Sequence, residues 1–135
     1  MRKMLILLVS LLLTACVDES ASYYIDGSAH ALTLRRAQNY FWEDQVTLTL
    51  IAARMPECQR RHVLALAPAS EVDIDVFASG DGLWTLRSGQ VVWQVDMQTC
   101  SVSQEAPQGE LGARVGAFKL QNGKLVFEAA TPAPR

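Results

Sequence analysis

The feature that most constrains this chain is a hydrophobic period of two. Val72, Ile74 and Val76 alternate with Glu71, Asp73 and Asp75, and Val46, Leu48 and Leu50 alternate with Thr47 and Thr49. Successive side chains of a strand point to opposite faces, so each run reads as a strand with one buried and one wetted face. β-branched residues suit such a surface. No stretch carries an apolar stripe at 3.6-residue spacing. Residues 37–45 could form one helical turn, but the adjacent Tyr40, Phe41 and Trp42 do not share a helix face.

Turn chemistry organises these strands into hairpins. Asn122-Gly123 is the preferred pair for a two-residue type I′ turn, in which both central residues take positive φ. Closure there sets Leu120 opposite Leu125 and Phe118 opposite Phe127 on one face, with Lys119 diagonal to Glu128 on the other. Closure at Ser88-Gly89 sets Leu86 opposite Val91 and Trp84 opposite Trp93. A third hairpin closes at Asp26-Gly27. The expectation is an all-β domain: a small antiparallel meander of about seven or eight strands, forming a barrel or a curled sheet packed on itself, because sheet edges must be managed. The chain has 135 residues, half hydrophobic and 19% charged. That is enough for one domain with a core and excludes a disordered or low-complexity chain. Lys+Arg is 12 against 14 Asp+Glu, so no basic excess points to nucleic acid.

The first sixteen residues carry an address. Arg2 and Lys3 precede an apolar run over residues 4–13 that contains one Ser. A ten-residue helix rises about 15 Å, half of a hydrocarbon core of ~30 Å, so the run reads as the apolar region of a secretory signal, not as a permanent span. Leu13-Thr14-Ala15-Cys16 resembles the lipobox of bacterial lipoproteins. The resemblance covers residues 1–16. It implies cleavage before Cys16, acylation of its thiol and amine, and membrane attachment through several acyl chains. In that family an Asp directly after the lipidated Cys favours retention at the inner membrane. Here Val17 holds the place and Asp18 follows, so the resemblance favours the outer membrane, facing the periplasm.

The expected organisation is a signal peptide at 1–15, a lipidated Cys with a short polar tether at 16–22, a single β domain at 23–130 and a Pro-rich tail at 131–135. Loss of Arg2 and Lys3 leaves 10 basic residues against 14 acidic, a mild net charge of −4 that names no partner. With Cys16 assigned to lipid, Cys58 and Cys100 remain. An oxidising envelope favours a disulfide between them, and its loop would stabilise the fold by about 4 kcal/mol on chain-entropy grounds. There is no Cys-x-x-Cys motif, and the two Cys and two His lie scattered without metal-ligand spacing, so neither metal nor cofactor is expected.

Two segments are candidate binding surface. Tyr40, Phe41 and Trp42 cannot all point inward from an extended chain, so at least one is a surface anchor or a plug at an open end. Their other reading is plain core filling. Arg60, Arg61 and His62 follow Cys58 as an anion or partner patch, or as a solvated turn pinned by the disulfide. Alternation sends Arg35 and Arg36 to opposite faces. Residues 79–82 (Ser-Gly-Asp-Gly) form a bent turn, not a phosphate cradle. No catalytic motif is present, and an enzyme would need a polar pocket around His30 or His62.

Residues 54–62 (Arg-Met-Pro-Glu-Cys-Gln-Arg-Arg-His), with Tyr40-Phe41-Trp42 before and Thr99-Cys100 after, resemble a group of small lipoproteins of Gram-negative bacteria. That resemblance implies a disulfide-bearing envelope domain and carries no activity with it. The expected function is a non-enzymatic, membrane-anchored periplasmic module that binds an envelope protein or assists assembly. One alternative is inhibition of a lysozyme-type hydrolase, by likeness to small disulfide-bearing β-barrel lipoproteins that block lysozyme. Another is carriage of a small apolar ligand inside a barrel of about eight strands.

Overall fold

A computed structural model describes residues 2–3, 17–40, 42–104 and 111–130. The lipobox with Cys16, Phe41 and the 131–135 tail lie outside the described residues.

The fold is all-β, with ten strands among the described residues: β1 (Asp18–Tyr24), β2 (His30–Ala37), β3 (Gln45–Arg54), β4 (Cys58–Pro68), β5 (Asp73–Gly80), β6 (Leu83–Ser88), β7 (Val91–Asp96), β8 (Ser101–Ser103), β9 (Ala113–Gln121) and β10 (Lys124–Ala129). Every pairing is antiparallel, but the strands do not form one continuous meander. They divide into a four-stranded sheet, β1-β2-β3-β4, and a six-stranded sheet, β10-β9-β5-β6-β7-β8. After β8 the chain returns to place β9 beside β5, which interrupts simple hairpin order. The ladders leave β1, β4, β8 and β10 as edges where a closed barrel would have none.

The two alternating runs behave as their pattern requires. Val46, Leu48 and Leu50 from β3 meet Ile74 and Val76 from β5, with Val72 just before it, in a core shared with Leu32, Leu34, Leu86, Trp93, Val95 and Phe118. Asp73 stays exposed, while Asp75 on the same outer face pairs with Arg114 at 3.0 Å and Arg87 at 3.6 Å.

The Asn122-Gly123 hairpin has the expected register, with Leu125 against Leu120 and Phe127 against Phe118. Its two turn residues have φ of 53° and 77°, the signature of a type I′ turn. The second hairpin departs from expectation. Leu86 faces Trp93, Trp84 faces Val95 and Ser88 faces Val91, so the loop is Gly89-Gln90 and no Trp–Trp pair forms. Gly89 has φ 59°; placing it first in the loop gives the glycine to the position that needs positive φ, as in a type II′ turn. The two-residue displacement preserves the faces, and Leu86, Trp93 and Val95 remain in the core. The β1–β2 hairpin also closes more widely than expected, over residues 25–29, with the Ile25 N–H donating to the His30 carbonyl at 2.8 Å.

Residues 18–22 are not a tether but most of β1. The reason lies on β2, which supplies partners that no local pattern reveals. Arg35 donates twice to Asp18 at 2.9 Å, and the Ser22 and Thr33 hydroxyls bond at 2.7 Å. Arg36, on the opposite face as alternation requires, is 4% exposed. It pairs with Glu19 and donates to the carbonyls of Ala69 at 2.7 Å and Gly123 at 2.8 Å.

The sheets are therefore joined along two seams. Beside β1 and β10, Glu19 and Arg36 tie the first sheet to the Gly123 turn, and Glu19 Oε1 also accepts from the Leu125 N–H at 3.0 Å. Beside β4 and β8, the expected Cys58–Cys100 disulfide forms, with Cα atoms 6.0 Å apart. His62 Nε2 bonds the Cys100 carbonyl at 2.8 Å.

Candidate functional site

The antiparallel ladders place the loops at two opposite ends. One end gathers residues 38–40, 42–44, 69–72, 89–90 and 122–123, and it is where Val17 enters β1. The other gathers 25–29, 55–57, 80–82 and 97–100. At this second end the sheets part into an open cup of about 810 Å³, lined by Ile25, Leu83, Trp84 and Met97 on its apolar side and by His30, Arg54, Gln98 and Thr99 on its polar side. That volume lies within the usual range of ligand pockets, roughly 300–1,000 Å³.

The cup exists because strand ends and turns rim it. Asp81 has φ 55°, between Gly80 at 87° and Gly82 at 74°, so the β5–β6 turn bends sharply. Met97 N–H donates to the Gly82 carbonyl at 2.9 Å, linking this turn to residues 97–100. Arg54, at the end of β3, then holds the 97–100 turn from the other sheet. Its Nε donates to the Met97 carbonyl at 2.7 Å and its Nη2 to the Gln98 carbonyl at 2.8 Å.

Inside the rim, the Trp84 ring meets Tyr23 edge-on at 5.4 Å. Tyr23 packs on Phe127 at 4.8 Å, and Phe127 packs on Phe118 at 5.1 Å. Centroid separations of 4.5–7 Å with tilted planes suit the ring quadrupoles. Burial pushes the Tyr23 phenol above its ordinary range, because the ionised form would lose water. Tyr23 of the first sheet is thus packed against Trp84 and Phe127 of the second.

His30 lines this cup, and its Nε2 is buried with no hydrogen-bond partner among the described residues. A buried nitrogen without a partner is uncommon and costs free energy. Thr99 is the one hydroxyl among the described residues lining the cup, and no carboxylate is among them. The arrangement offers an apolar wall, one imidazole and a guanidinium already committed to backbone carbonyls, which suits recognition of an apolar group with a polar edge.

The residues expected to form a binding surface are not brought together. Tyr40 and Trp42 stand between β2 and β3, at the end opposite the cup. Arg60, Arg61 and His62 lie on β4 near its Cys58 end, in a strand rather than a turn, and the ladder alternates them. Arg61 pairs with Ile51, while Arg60 pairs with Ala52 and His62 with Leu50; both arginines are exposed and His62 is half-buried. His62 is occupied by the Cys100 carbonyl and serves the seam. Sequence reading missed Arg54, Trp84 and the 97–100 turn as parts of one site. They are distant along the chain and share no motif; the one signal was the paired glycines at 80 and 82, which mark a bend.

Among the described residues, no group of three or more His, Cys, Asp and Glu could hold a metal ion. No family model, no curated protein and no solved structure matches this chain.

Proposed function

We propose that this chain is a non-enzymatic lipoprotein of the bacterial envelope, held to the membrane by acyl chains on Cys16, most simply at the outer membrane facing the periplasm. Its cup takes an apolar segment of a partner protein. The observation that carries this reading is polarity of placement. The chain enters at one end through Val17, next to Cys16, and the cup opens at the other. β1 has seven residues, a rise of about 20 Å. Attachment at Cys16 would therefore hold the cup clear of the bilayer and open to the periplasm. An open, shallow volume with an apolar wall and a polar rim matches a protein segment better than an enclosed small molecule.

Two experiments test it. Cys16→Ser should release the protein from the membrane fraction; unchanged detergent partitioning defeats the anchor. A photo-crosslinking side chain at Leu83, in the native envelope, should trap one dominant protein. Equal trapping from Gln59, an exposed outer-face position, would show that the cup is not the binding site.

The apolar wall of Ile25, Leu83, Trp84 and Met97 supports a second reading, in which the cup carries a small amphiphile. Native mass spectrometry showing a co-purified molecule that Trp84→Ala releases would favour that reading over the first.

A further inference from the structure

Tyr40 and Trp42 play no part in the cup. Tyr40 is 52% exposed and Trp42 is 66% exposed, and their rings stack with centroids 4.8 Å apart and planes 18° from parallel. Stacking gives the pair a fixed, flat apolar surface carrying an indole N–H and a phenol at its margin. The loop that bears them is tied to the start of the domain. The Gln38 N–H donates to the Val17 carbonyl at 2.7 Å, and the Val17 N–H donates to Gln38 Oε1 at 3.4 Å. Val17 is the residue after Cys16. On the same end Leu66, 63% exposed, borders a hollow of about 440 Å³ shared with Asn39, Glu43, Asp44 and Gln45.

We propose that Tyr40 and Trp42 are a lipid-interface contact, seating this end of the domain on the bilayer and fixing the outward direction of the cup. The inference rests on attachment through Cys16. Tyr and Trp favour the headgroup level because an apolar ring and a polar tip are satisfied there together. With the acyl chains one residue from Val17, ring insertion is intramolecular, so weak partitioning is enough to hold it. The acidic neighbours Glu43 and Asp44 disfavour an anionic surface, so the occupant is a zwitterionic lipid interface entered by apolar insertion.

The test uses the full lipidated chain in phosphatidylcholine vesicles whose upper acyl carbons carry bromine, a contact quencher of indole fluorescence. Trp93 is 4% exposed and Trp84 lines the cup at the far end, so Trp42 is the tryptophan within reach of lipid. Quenching of about a third of the emission is expected, since Trp42 is one of three tryptophans, and Trp42→Phe should abolish it. Unquenched protein that still floats with the vesicles overturns the seating and leaves the Cys16 anchor standing. Protein that does not float removes the anchor, and the seating with it. A blue shift of Trp42 that follows protein concentration and ignores bromination assigns the loop to a second copy of the chain, and also overturns the proposal.

Discussion

The two seams between the sheets solve one problem with different chemistry. At β4 and β8 the closure is a covalent Cys58–Cys100 bond supported by His62 and Arg54. At β1 and β10 it is an inward-facing Arg36 whose guanidinium meets one carboxylate and two backbone carbonyls from separate turns. A disulfide acts largely on the unfolded chain by closing a loop. A buried ion pair acts on the folded state and stabilises it only while every partner is present, since an uncompensated buried charge is costly. The first seam is therefore sensitive to redox conditions, and the second to single substitutions.

The largest effect should come from breaking the charged seam. Arg36→Ala is expected to cost about 3–5 kcal/mol, because it strands two backbone carbonyls and takes the cation from the part-buried Glu19; the urea midpoint reads this. The double variant Arg36→Met/Glu19→Gln should recover part of that loss, because no charge is then left unpaired. A double variant as unstable as the single would show that packing, not charge, holds the seam.

Opening the covalent seam comes next. Cys58→Ala with Cys100→Ala should lower stability by about 4 kcal/mol or somewhat less. Reductant should give the same midpoint shift in the wild type and none in the double variant. The seams lie on opposite edges, so the cost of Arg36→Ala should be similar under oxidising and reducing conditions. Strong non-additivity would mean that the core couples them.

Arg54→Ala should cost about 1–2 kcal/mol, as two charge-assisted hydrogen bonds from a partly exposed side chain are lost. Its sharper signature is local: faster amide exchange in the 97–100 turn, with the β1–β10 seam unchanged.

The smallest effect concerns the outer face. Hydrogen bonds from Arg35 hold the Asp18 carboxyl below the ordinary carboxylate range. As pH falls, the unfolded chain takes up that proton first. The contribution of the pair is thus present above the ordinary Asp pKa and is lost as pH falls through the lowered folded value. The pair is exposed, so Asp18→Asn should shift the neutral-pH midpoint only slightly, and added salt should erase the shift.

Much of this architecture was legible locally. Alternation in 46–50 and 72–76 marked two core strands, and Asn122-Gly123 set one register to the residue. The other hairpin shows the limit. Moving the Ser88-Gly89 closure by two residues changes every partner but no face, so hydrophobic pattern alone cannot choose between the registers; the φ of Gly89 does. β1 was hidden because Asp18, Glu19, Ser20 and Ser22 read as a polar tether until β2 supplies their partners. The cup was equally hidden. Its walls come from four separate stretches of chain, and a concave surface assembled from strand ends leaves no spacing in the sequence.

What the sequence determined by itself was short-range: which residues alternate, which turns permit positive φ, and that Cys58 and Cys100 are the pair left once Cys16 is set aside. What only the tertiary structure decided was long-range. It chose two sheets over one closed meander, because β9 returns beside β5 and leaves four edges to be joined by side chains. It turned Arg36 inward onto Glu19, and it separated the aromatic loop from the cup at opposite ends. Local pattern fixes the face on which a side chain lies, but the partner it meets there is set by chain segments that come together only on folding.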